Sequence, residues 1–175
     1  MRWQYLMVDA YQQMSQELEQ VLDELTVEDL HKRPSPGANP IGWLVWHTTR
    51  SCDRLLGDVV LGEQLWISEG WHKKFNRPPD LNDTGVGHTD AQVDALEIPD
   101  VKTLLDYHRA VIKSVLRYLD RLTENELDRE CANSQHPGTT RAVHSRLIGA
   151  LNNMQHVGQA GYVRGLLKGH RWYGR

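Results

Sequence analysis

Four apolar stripes, each repeating at the period of an α-helix, limit this chain to one kind of fold. The first runs through Trp3, Leu6, Met7, Ala10, Met14, Leu18, Val21 and Leu22. The second passes through Ile41, Leu44, Val45, Thr48, Cys52, Leu55 and Val59, and the third through Leu104, His108, Val111, Val115 and Leu119. The fourth extends from about Thr140 to Leu167 and breaks at Gly169. Residues recurring three and four apart share one helical face, and that face must be buried against a neighbour. No run alternates with the two-residue period of a strand. The expected class is therefore all-α, with four helices around a single core. At 175 residues the chain suits one domain spanning 1–175.

Local signals mark the helix ends. Thr26 is placed to cap a short turn before Leu30, Asn39-Pro40 opens the second long helix, and Thr89 caps a short helix reaching about Leu96. The spacing of Thr123 and Glu126 is that of a capping box. Residues 67–100 lack a sustained period and carry Gly70, Pro78, Pro79, Gly85, Gly87 and Pro99. So long a connection between helices two and three is expected to be functional or partly structured. A faint repeat is also visible: Leu25-Thr26 with Leu30 returns as Leu122-Thr123 with Leu127. The same offset carries Pro40 onto Pro137 and His47 onto His144.

The net charge of −3, with acids and bases interleaved, leaves no basic stripe for nucleic acid. The cations near the end of the chain, Arg164, Lys168, Arg171 and Arg175, read as helix-end and tail charge. No apolar run approaches the roughly 18 residues of a membrane span, and Met1-Arg2-Trp3 enters the first amphipathic pattern without a leader. Neither nucleic acid nor membrane is an expected partner. Two distant cysteines, Cys52 and Cys131, make a disulfide framework improbable and the cytoplasm the default compartment. Cys52 falls on the second stripe and reads as an inert apolar residue.

Histidine placement suggests chemistry. His47, beside the second stripe, and His156, on the fourth helix, each offer an imidazole towards the interior. Two such rings from separate helices can converge on one divalent ion. Asn152 lies four residues before His156, about 6 Å away in rise, and Gln159 continues that face. His144 is twelve residues from His156, about 18 Å along a helix, too far to share an ion bonded at roughly 2.1 Å. His108 lies within the third apolar stripe and reads first as a hydrogen-bonded core residue. His31, His72, His88, His136 and His170 fall in loops or helix ends and are expected to be solvated. Trp43 and Trp46 are either core fillers or pocket walls, with Trp71 on the long loop a further wall. Arg50 and His108 are candidates to meet an anionic group. Gly149, Gly158, Gly161 and Gly165 each cost a helix about 1 kcal/mol against alanine, and imply close approach by a neighbouring helix, a partner chain or a ligand.

Three segments carry a family resemblance: Asn39-Pro40-Ile41-Gly42-Trp43-Leu44-Val45-Trp46-His47-Thr48-Thr49-Arg50, Gly87-His88-Thr89-Asp90 through Asp106-Tyr107-His108, and Gln155-His156-Val157-Gly158-Gln159 through Leu167. In this order and over nearly the whole chain they resemble the DinB-like superfamily, which includes thiol-dependent enzymes such as mycothiol-dependent maleylpyruvate isomerase and the bacillithiol transferases. The resemblance implies a four-helix bundle with an up-down-down-up course, often a homodimer. It also implies a divalent metal (zinc or nickel) held by His47, His156 and the residue at position 152, with a low-molecular-weight thiol as a cofactor in some members. Position 152 departs from the pattern, because the family places an acid or histidine there and this chain has the neutral Asn152. The expected function is that of a metal-dependent enzyme acting on a small molecule, a thiol-dependent transferase or isomerase, with a substrate pocket formed by Trp43, Trp46, Arg50, His108 and Gln159. The alternative is a metal-free, non-catalytic helical module in which Asn152, His156, Gln159 and His47 form a hydrogen-bonded cluster.

Overall fold

The computed structural model describes residues 2–57, 62–132, 138–169 and 172. The sequence assignments for Val59, His136, Pro137, His170, Arg171 and Arg175 lie outside them. In chain order the elements are α1 (Trp3–Leu22), α2 (Val27–His31), α3 (Ile41–Leu56), α4 (Leu65–Ser68), α5 (Trp71–Lys74) and α6 (Asp90–Asp94). They continue with α7 (Val101–Arg121), α8 (Glu124–Leu127), β1 (Glu130–Ala132), β2 (Thr140–Ala142), α9 (Val143–Leu151) and α10 (Met154–Lys168).

The apolar stripes do what their period requires. α1 packs on α7 and α10, while α3 packs on α7, α9 and α10, so the contacts close into a ring around one core. Met14 and Leu18 from α1, Trp46 and Leu56 from α3, Val111 and Val115 from α7, and Val157 and Ala160 from α10 are buried together. Each large side chain so buried contributes about 1.5–3 kcal/mol. The short helices start where their caps dictate. Asp29 donates its N–H to the Thr26 hydroxyl at 3.2 Å and its carboxylate accepts the Thr26 N–H at 3.0 Å. Thr89 and Gln92 repeat that exchange, and Glu126 accepts the N–H of Thr123 at 3.0 Å. The repeat thus reaches the capped turns but not the histidines: His144 is exposed, its ring against the Leu127 carbonyl.

Two expectations are corrected. A short antiparallel hairpin pairs Glu130 with Ala142 and Ala132 with Thr140; three-residue strands are too short to leave an alternating pattern. More consequentially, the fourth helix is not continuous. At Asn152-Asn153 the bonding tightens to i→i−3, with the Asn153 N–H reaching Ala150 O, Gln155 reaching Asn152 O, and His156 reaching Asn153 O. Asparagine side chains compete for nearby backbone groups, and Asn153 Nδ2 donates to Ala150 O at 2.9 Å. The break changes which asparagine faces inward: Asn153 is buried and Asn152 is exposed.

Candidate metal centre and its supporting loop

On α3 the residues Trp43, His47 and Arg50 recur at i, i+4 and i+7, and so share one face. Each of them takes hold of the segment 81–88, which runs antiparallel to the helix. Arg50 donates from Nε to Asp83 O at 3.1 Å and from a terminal nitrogen to Leu81 O at 3.3 Å. One turn earlier, His47 Nδ1 lies 2.5 Å from Thr84 O. A further turn back, Trp43 Nε1 donates to His88 Nδ1 at 3.3 Å. The opposite nitrogen of His88 donates to Asp83 Oδ1 at 3.0 Å, and Asp83 Oδ2 pairs with Arg77 at 2.5 Å. Gly85 has φ +89°, and an added Cβ would sit 2.7 Å from Trp43 Cζ2 and 3.0 Å from Trp46 Cζ3. Only glycine allows this segment to lie so close to α3.

His47 is held on three sides. It is 6% exposed, stacks on Trp43 with ring centres 4.8 Å apart at 12°, and is bonded to Thr84 O. Burial lowers its pKa against the effect of the Thr84 bond, and the neighbouring His156 and His88 lower it further. Burial alone would raise the Asp83 carboxyl, but the hydrogen bond and charge of Arg77, helped by His88, hold it below the usual carboxylate range.

α10 brings His156 to the same place. The two imidazole centres are 4.7 Å apart at 76°, within the span that one ion bonded to both at roughly 2.1 Å can bridge. His156 Nδ1 lies 2.8 Å from Gln159 Oε1. A carbonyl oxygen only accepts, so each Nδ1 carries the proton and each Nε2 keeps its lone pair. This is the tautomer a metal-binding histidine needs, oriented by an oxygen on its other nitrogen. Two neutral imidazoles side by side are donors of the kind a divalent ion takes. Among the described residues no three His, Cys, Asp or Glu side chains gather closely enough to hold one by themselves.

Other sequence candidates occupy different places. Arg50 is corrected from an anion-meeting role: it is fully buried, with its guanidinium 3.4 Å from Asp53, 3.1 Å from Gln64 Oε1, and 4.7 Å from the centre of the Trp66 ring. His108 is likewise a core residue, fully buried and sharing a 3.2 Å hydrogen bond with Thr49. Burial pushes its pKa down to about 4. Trp46 is fully buried, whereas Trp71 packs against Tyr107 at 5.1 Å and lines a surface cleft with Asp106 and Arg109, away from the two histidines. Asn152 is exposed at the helix break. Cys52 is buried beside Asn153, its thiol pushed up to about 12, as an inert residue should be.

His72 and His88, expected in solvent, are held inside. His72 Nδ1 meets Trp66 O at 2.9 Å, and the His88 side chain is 8% exposed. His88, Asp83, Thr84 and Arg77 are the residues that sequence reasoning missed. The signal available was Gly85 close before a histidine in a loop opposite two tryptophans.

The profile of the DinB superfamily matches residues 10–160. The chain belongs to the DinB superfamily. A crystal structure of a conserved protein from Enterococcus faecalis superposes on this DinB superfamily chain with a TM-score of 0.81 and 27% identity, covering 97% of this chain and 99% of the other. No curated protein matches the sequence.

Proposed function

We propose that this DinB superfamily member is a metal-dependent enzyme acting on a small molecule, of the thiol-transfer or isomerisation type, with His47 and His156 as the ligands of a divalent ion such as zinc or nickel. The observation that carries the reading is the 4.7 Å approach of two imidazoles whose Nδ1 atoms are each taken up by a carbonyl oxygen. In this reading Asn152 offers an exposed carboxamide as a weak third donor. The closed ring of helix contacts supports a four-helix bundle with an up-down-down-up course. The open face of Gly165, where an added Cβ has no neighbour within 4 Å among the described residues, lies outside the groove lined by Gly158 and supports a homodimer, because no described helix approaches it as closely as its occurrence implied.

When bound, the ion would acidify a water or thiol at its remaining positions. The chain's own contribution is orientation. Thr84 O fixes the proton and plane of His47, Trp43 stacks on the ring from one side, and Gln159 does the same work for His156 from the solvent side. A second reading, the metal-free module, is favoured by one observation: no third strong ligand stands beside the pair among the described residues.

Titration of metal-stripped, tag-free protein with Co(II), followed by its visible absorption, separates the two. One equivalent is expected to bind with His47 and His156 as ligands, and either His47→Ala or His156→Ala should abolish it. Saturation never reached, or reached equally in both variants, would favour the metal-free module.

A further inference from the structure

We infer that the groove between residues 34–39 and α10 is a binding site for an uncharged small molecule, one with an apolar body bearing hydroxyl or amide groups. The groove has a volume of about 790 Å³, within the usual range for small-molecule sites. Its apolar walls include Pro34, Leu44 and Val163, and its polar groups include the carboxamides of Asn39, Gln155 and Gln159. Among the described residues no Asp, Glu, Lys, Arg or His lines it. In a chain that is 25% charged, an open groove without a charged side chain is a chemical filter. A charged ligand entering it would lose hydration and gain no counter-charge. A neutral ligand can exchange hydrogen bonds with carboxamides that both donate and accept.

The groove also adjoins the imidazole pair. Gln159 is at once a wall of the groove and the acceptor for His156 Nδ1 at 2.8 Å. A molecule lying along α10 therefore has one end beside His156. This rests on the proposed metal-dependent reading for its purpose, but not for its existence, since no metal ligand is needed to form the walls. Gly158 contributes to the floor, and a Cβ there meets nothing within 4 Å among the described residues, so a side chain can be added there without a clash at its base.

The test uses metal-stripped full-length protein and three probes of equal chain length: hexyl β-D-glucoside, hexanoate and hexylammonium. Backbone amide shifts are followed by NMR. The glucoside should give saturable shifts at Gln155, Gln159 and Tyr162, with an affinity at least about tenfold above either ion. Gly158→Trp and, at the exposed far end, Leu166→Asp should each weaken it by about tenfold or more, with the helical circular dichroism of both variants that of the parent. Equal affinity for the three probes, absence of saturable shifts, or glucoside binding unaffected by both variants would overturn the assignment. So would sedimentation showing a dimer that Leu166→Asp converts to monomer, because the groove would then be covered by a second copy. Loss of Co(II) binding in the parent protein would remove the metal reading and leave the groove result standing.

Discussion

The two histidines of the site sit in opposite surroundings. His47 is buried on the middle of a long helix, stacked on Trp43, and tied to a loop that Arg50, Arg77 and His88 fix in turn. His156 follows a break in the fourth helix, is half-buried, and is oriented by one exposed side chain, Gln159. The first half of the site is part of the core's own construction. The second rests on a single side-chain contact at the surface. In the proposed metal centre, His47 would be the fixed ligand and His156 the one able to adjust to what enters beside it.

Breaking the fixed half should cost most. Arg50→Ala leaves Asp53 buried without its cation and releases the carbonyls of Leu81 and Asp83, and a loss of about 3–5 kcal/mol is expected in urea unfolding. Gln159→Ala, on the adjustable half, should stay within about 0.5 kcal/mol of the parent. Similar losses in the two variants would erase the contrast.

Acid should attack the same fixed side. His108 is neutral in the folded core with a pKa near 4, against about 6.5 when unfolded. The unfolded chain therefore binds the proton first, and stability is full above about pH 6.5 and falls as pH drops towards 4. The loss from this group is about 3 kcal/mol at most. His47, whose pKa is also lowered, adds to it with the same sign. Unfolding free energies measured across that range should fall more gently in His108→Leu; an unchanged slope would mean that His108 is not the proton acceptor.

The smallest effect concerns the adjustable half alone. Asn152→Asp should raise Co(II) affinity by about tenfold if its carboxylate joins the pair, with unfolding unchanged within about 0.5 kcal/mol. Unaltered affinity would leave the third position to solvent or substrate.

The helices were legible in the sequence because a buried face must repeat with the helical period, and the capped turns because Thr26, Thr89 and Thr123 satisfy local donors within three residues. The pairing of His47 with His156 was also foreseeable, since both lie near apolar stripes that have to meet. What escaped was everything set by long-range register. Nothing local says that Thr84 falls opposite His47, or that His88 reaches Trp43, because residues 81–88 have no period of their own. The break at Asn152-Asn153 was hidden for another reason: apolar residues continue on both sides, so the stripe conceals a local change in hydrogen bonding. Arg50 was misjudged because a cation on an inward face suggests a ligand, whereas here it fastens the chain to itself.

The tautomers of the two rings are the most direct measure of the account. Long-range ¹H–¹⁵N correlation of the imidazoles in metal-stripped protein should show both His47 and His156 protonated at Nδ1 and bare at Nε2, and zinc should move the Nε2 resonance of both together. A ring protonated at Nε2, or a zinc response confined to one histidine, would contradict a shared centre.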